Sequence, residues 1–184
     1  MNRTTKRLAL AAGVGAAAAM LTACQSMATS PERPPLELEA SVDIPRFMGD
    51  WYVIAAIPTF IEKDVFGSKE NYRLESDGTI ATTFSFHAGA ADGPLREYRS
   101  KGFVLQPGGA VWGQQYIWPI KADYRISYVA PDYSQTVITR EKRDYVWIMA
   151  RTPTIGAADL DRLIAIAVRQ GYDAARILRV PQPG

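Results

Sequence analysis

The chain has 184 residues and a formal net charge of +2, with 21 Lys and Arg against 19 Asp and Glu. A single cysteine excludes an internal disulfide, and one cysteine with one histidine leaves no side-chain set for a tetrahedral zinc site. The length suits one domain with its own packed core.

Arg3, Lys6 and Arg7 precede an apolar run over residues 8–20, and Leu21-Thr22-Ala23-Cys24 follows. A basic start, a short apolar stretch and small residues ahead of a cut site describe a secretory signal peptide. The run is too short to span a bilayer, which takes about 20 apolar residues. Leu21-Thr22-Ala23-Cys24 resembles the bacterial lipobox. That resemblance implies cleavage before Cys24, acylation of its sulfur and amine, and a lipid anchor. Gln25 stands where an aspartate would resemble an inner-membrane retention signal, so the implied location is the outer membrane. Loss of the leader takes away three basic residues and no acidic one, so Lys and Arg fall from 21 to 18 against 19 Asp and Glu. The mature charge of −1 gives no argument for nucleic acid, which needs a clustered basic face. The expected organisation is a signal peptide over 1–23, a lipidated N-terminus and proline-bearing tether over 24–41, and one domain over 42–184.

Eight segments of that domain are rich in β-branched and aromatic residues and are punctuated by Gly, Pro, Asp and Asn. They cover 51–57, 71–75, 79–87, 98–105, 111–118, 124–129, 135–139 and 144–151. Ser76-Asp77-Gly78 and Pro107-Gly108-Gly109 read as turns. Such spacing suggests an antiparallel sandwich or a closed barrel. Leu160, Leu163, Ile164, Ala167 and Val168 then recur at helical spacing, between Gly156 and Gly171. The natural seat for this apolar stripe is the last strand. There Val146, Ile148 and Ala150 alternate with Tyr145, Trp147, Met149 and Arg151, so one set faces the helix and the other the interior. Arg151 ends that inward row and needs a partner. Barrel closure would set it beside Trp51, as a cation–π pair.

Gly49-Asp50-Trp51, with Phe47 ahead of it, resembles the Gly-x-Trp signature of the lipocalins. Pro131-Asp132-Tyr133 resembles the family's Thr-Asp-Tyr motif except at its first position, and Arg151 matches the conserved arginine of the third motif. Residues 143–155, Gly171-Tyr172-Asp173 and Pro181-Gln182-Pro183-Gly184 closely resemble bacterial outer-membrane lipocalins. The resemblance spans 42–184. It implies an all-β fold with one C-terminal helix, an eight-stranded up-and-down antiparallel barrel shaped as a cup for small apolar molecules. For the bacterial branch these are fatty acids, palmitate among them, and lysophospholipids, stored or transported at the outer membrane. Gly49, Trp51, Asp132, Tyr133 and Arg151 then hold structural roles at the closed end.

Period-two alternation projects a pocket wall of Val53, Ala55, Phe84, Phe86, Tyr124, Ile126, Tyr128, Trp147 and Met149, with small Ala55 leaving space. Tyr124 resembles a pocket tyrosine of the bacterial branch. Rings suit a ligand tail and Tyr hydroxyls its head. The bland alternative is a barrel filled by these same side chains, displayed by its anchor as an envelope structural or interaction lipoprotein. No enzyme is expected: His87 is a solvated or hydrogen-bonded side chain, Gly-x-Ser-x-Gly is absent, and Cys24 is committed to lipid. No cofactor and no metal are expected. The expected partners are a fatty acid or lysophospholipid and the membrane, with a homodimer kept open. Arg140-Glu141-Lys142-Arg143 reads as a solvated turn, with contact to anionic head groups as the other reading.

Overall fold

The computed structural model describes residues 34–62 and 64–182, so the signal peptide and Cys24 lie outside the described residues. The eight strands run in a meander: β1 (Gly49–Ile57), β2 (Val65–Leu74), β3 (Ile80–Ala88), β4 (Leu95–Val104), β5 (Val111–Ile117), β6 (Ile120–Val129), β7 (Gln135–Thr139) and β8 (Val146–Ala150). Each pairs antiparallel with the next, and β1 pairs with both β2 and β8. The sheet is therefore a closed barrel, the architecture the sequence implies. A ninth strand, β9 (Leu178–Arg179), adds to β1 at Ala55 and Ala56 and has no counterpart in the sequence reading. Neither has the short helix α1 (Ile44–Phe47), capped by the Asp43 carboxylate on the Arg46 N–H. β2 begins six residues earlier than expected. Ser68, Lys69 and Glu70 hide it, because polar residues in a strand interior do not read as a half-buried face.

Helix α2 (Ala157–Arg169) buries Leu160, Leu163, Ile166 and Ala167. These join Val137, Val146, Ile148 and Ala150 in a core outside the barrel wall. Each fully buried aliphatic side chain contributes about 1.5–3 kcal/mol. Ile166 replaces Val168 of the expected stripe, since Val168 points outward and is 43% exposed. The Arg143 Nε–H donates to the Gln170 carbonyl at the helix C-terminus at 2.6 Å. That places a cation on the negative end of the helix. Arg143 is thus buried, so the reading of 140–143 as a solvated turn holds for Glu141 and Lys142 but not for Arg143.

The second core fills the lower barrel. Phe47, Trp51 and Trp112 are sealed from solvent, and the Phe47 ring lies 4.9 Å from Trp51 and 5.5 Å edge-on to Trp112. The Arg151 guanidinium stacks 3.8 Å over the Trp51 ring. It also donates to the carbonyls of Tyr133, Asp50, Arg46 and Phe47. Gly49 sits at φ +94°, where a Cβ would lie 3.4 Å from the Arg151 Nη1. Tyr133 accepts the Asp43 N–H on its hydroxyl and lies under the Arg46 guanidinium. The Asp132 carboxylate holds the Ser134 N–H in the same loop.

The compact unit that contains the barrel takes in the chain from Pro35. The Glu37 N–H and carbonyl bond the Gln170 side chain, each at 2.9 Å. The Glu39 N–H donates to the Ile126 carbonyl, and the Val129 N–H to the Glu39 carboxylate. Val42 reaches Gly108, whose φ of +89° lets the chain pass where a Cβ would come within 2.7 Å of Ala40 O. Backbone pairing, invisible in a polar sequence, turns the second half of the expected tether into a strap on the barrel.

Candidate functional site

Above the plug the barrel holds a cavity of about 510 Å³ that opens between the β1–β2, β5–β6 and β7–β8 connections. Its size falls in the range of small-molecule sites. The barrel is therefore not filled by its own side chains.

The phase of each strand decides who lines it. Phe84, Tyr124, Trp147 and Met149 line the cavity. Val53, Phe86 and Ile126 also face the interior but are packed in the surrounding core and do not line the cavity. Ala55 and Tyr128 do not face inward at all, which corrects their projection. The β1 register shifts between Val53 and Ala55, so Ala56 joins Val53 inside while Ile54 and Ala55 face the helix core. The β6 register shifts between Ile126 and Tyr128. Tyr128 emerges outside, its hydroxyl accepting from Arg162 of α2. One extra residue in a strand reverses every later side chain.

The wall has members that alternation did not name. Tyr98, Tyr116, Ile117, Ala122 and Tyr145 line the sides. The bottom is polar. The Tyr72 and Tyr124 hydroxyls share a hydrogen bond of 2.8 Å, and Tyr124 stacks on Trp112. Gln114 receives the Ser100 hydroxyl at 3.2 Å and exchanges weaker contacts with Thr82. Glu62, on the loop after β1, accepts from the Thr59 N–H and the Trp147 indole N–H.

Glu70 is the outlier. It lines the cavity, and its Oε2 is buried without a hydrogen-bond partner. Burial, and then the Glu62 charge, push its carboxyl up to about 8. At neutral pH it is a neutral acid, able to donate to a ligand's polar group. Burial likewise holds the Tyr72, Tyr124 and Tyr116 phenols above their ordinary value, so they too stay neutral donors. Glu70 and Tyr72 share a phase on β2, so once the start of that strand is known both could be found by counting in twos. His87 lies apart from this site, its Nδ1 2.8 Å from the Gly93 carbonyl.

The family model for a lipocalin-like domain matches residues 42–182. The chain belongs to the lipocalin family. It is 28% identical to the outer membrane lipoprotein Blc of Citrobacter freundii, over 91% of this chain and 96% of that one. It is also 28% identical to temperature-induced lipocalin-1 of Arabidopsis thaliana, over 82% and 85%. Among solved structures, insecticyanin of the tobacco hornworm Manduca sexta superposes with a TM-score of 0.63 at 13% identity, covering 80% of this chain and 84% of that one. Apocrustacyanin C2 gives 0.61 at 17%, covering 84% and 93%. Within the lipocalins the chain falls with the bacterial outer-membrane lipoproteins. Membership supports binding of small hydrophobic ligands in general, and the cavity gives that a place.

Proposed function

We propose that this lipocalin is a lipid-anchored binding protein of the bacterial envelope that stores or carries one fatty acid or lysophospholipid per barrel. The observation that carries the reading is the open cavity of about 510 Å³, walled by Phe84, Tyr98, Trp147 and Met149. Apolar rings take an acyl chain, and the neutral donors at its bottom and the Arg140 guanidinium, which lies over the ring of the wall residue Tyr145, offer two levels for a polar group. No catalysis is part of the reading. Isothermal titration of delipidated protein with palmitate and with a lysophospholipid tests it, and absence of saturable uptake of both would end it. Ala122 is a small residue of the wall, so Ala122→Trp should abolish uptake while circular dichroism stays unchanged. Tyr124→Phe deletes one hydroxyl of the Tyr72 pair, and a ligand bonded there should lose about 0.5–1.5 kcal/mol.

The anchor is Cys24. Among the described residues no helix is long and apolar enough to cross a membrane, and relatives named outer membrane lipoproteins match most of the chain. Each buried acyl methylene contributes about 0.8 kcal/mol, so several chains hold a protein stably. Cys24→Ala should move the protein from the outer-membrane fraction to the soluble periplasm, and an unchanged distribution would refute the anchor.

A further inference from the structure

The cavity mouth carries apolar side chains that stand out into solvent; Phe60 and Ile117 also edge the cavity, whereas Trp118, Ile120 and Leu95 do not line it. At the β5–β6 tip, Ile117, Trp118 and Ile120 are 71%, 82% and 68% exposed, and Phe60 on the β1–β2 loop is 79% exposed. Leu95, at the start of β4, adds a fifth at the same end of the meander. Isolated exposed apolar residues are ordinary, but a group on neighbouring connections around one opening marks a contact surface. Tryptophan favours the boundary between head groups and acyl chains. Lys121, Arg96 and Lys142 stand exposed at this end, among the acids Glu97 and Glu141. The charge is mixed, so apolar insertion rather than attraction must carry the contact.

A second observation concerns where the chain comes in. Glu37 is bonded to Gln170, whose carbonyl accepts from Arg143 in the β7–β8 connection. The strap therefore starts on the mouth half of the barrel and descends to Gly108 at the plugged end. Ten residues lie between Cys24 and Pro35, so the eleven steps of chain reach at most about 40 Å. That is close to the height of the barrel, since ten strand residues rise about 33 Å. An anchor on so short a lead, arriving beside the mouth, meets the membrane at the mouth with the least extension.

We infer that the mouth is a lipid-docking surface. The Phe60, Ile117, Trp118 and Ile120 side chains enter the bilayer that holds the anchor, so the cup opens onto the acyl chains and exchanges ligand without crossing water. The inference rests on the proposed anchor and ligand class, but its first test needs no ligand. The full-length lipoprotein is reconstituted in vesicles of phosphatidylethanolamine and phosphatidylglycerol with brominated acyl chains, and its tryptophan emission is recorded. Bromine should quench the wild type, and Trp118→Ser should remove most of that quenching. Trp118 emission that stays open to aqueous iodide and untouched by bromine would overturn the docking. So would burial of Trp118 against a second copy, read as a cross-linked dimer with the same protection from iodide. The second test uses Trp118→Ser with Ile120→Ser, two residues that do not line the cavity. This variant should bind dispersed palmitate like the wild type but take it from vesicles severalfold more slowly. Equal uptake rates would refute docking as the loading route. Failure of both proteins to bind dispersed palmitate would refute the ligand reading, with the bromine result still deciding the docking.

Discussion

Trp51→Ala should cost about 3–5 kcal/mol, the usual toll for deleting a large aromatic ring from a packed core. Trp51 is fully buried, its indole N–H donates to the Phe47 carbonyl at 2.8 Å, and its face carries the Arg151 guanidinium. The substitution opens a cavity under Phe47 and leaves the arginine above an empty apolar space. Arg151→Met keeps most of the volume and should cost less, about 1–3 kcal/mol. It loses a cation–π contact and the donor to the carbonyls of Tyr133, Asp50, Arg46 and Phe47. Those carbonyls lie at the barrel end, where water can replace the guanidinium. Urea midpoints at equal slope rank the two variants. A Trp51→Ala protein as stable as the wild type would mean that the plug does not hold the barrel closed.

Glu70 should make the wild type lose stability as pH rises from about 5 to 9. Its carboxyl is raised from the ordinary 4.5 to about 8 in the folded protein. Below pH 4.5 both states hold the proton, and the group exacts no pH-dependent cost. Between 4.5 and 8 the unfolded chain releases the proton while the folded one keeps it, so stability falls by about 1.4 kcal/mol per pH unit. Above 8 both states are ionised and the loss levels off, on the order of 4–5 kcal/mol in all. Glu70→Gln removes the titration. The difference between wild type and variant isolates Glu70 from every other group. Denaturant midpoints at pH 5, 7 and 9 should therefore diverge, with the variant the more stable by several kcal/mol at pH 9. Parallel curves would show that Glu70 ionises freely, and that the cavity bottom is wetter than its walls suggest.

The residues by themselves determined the class of fold. Alternation marked residues 79–87 as a strand with one apolar face, an apolar run rich in β-branched and aromatic residues marked 144–151 as one buried on both faces, and helical spacing marked α2. The order Gly49-Asp50-Trp51, Asp132-Tyr133, Arg151 pointed to the plug, because these side chains act through near neighbours and through barrel closure. Alternation also put Phe84, Tyr124, Trp147 and Met149 on the inner face, and the cavity includes all four.

What the tertiary structure decided begins with phase. The register shifts near Ile54 and Ser127 each insert one residue, and nothing in Val53-Ile54-Ala55 or Ile126-Ser127-Tyr128 announces them. A bulge is settled by pairing with the neighbouring strand, and it sent Ala55 and Tyr128 to the helix side. The strap over 37–42 was equally hidden, since its bonds run to Gln170, Ile126 and Gly108, far away in sequence. Glu70 was the deepest omission. A glutamate in a polar run reads as surface, and only closure of the barrel encloses it with Tyr72, Tyr124 and Gln114. Sequence pattern records which residues prefer water. It does not record where the fold places a polar residue that has been denied it.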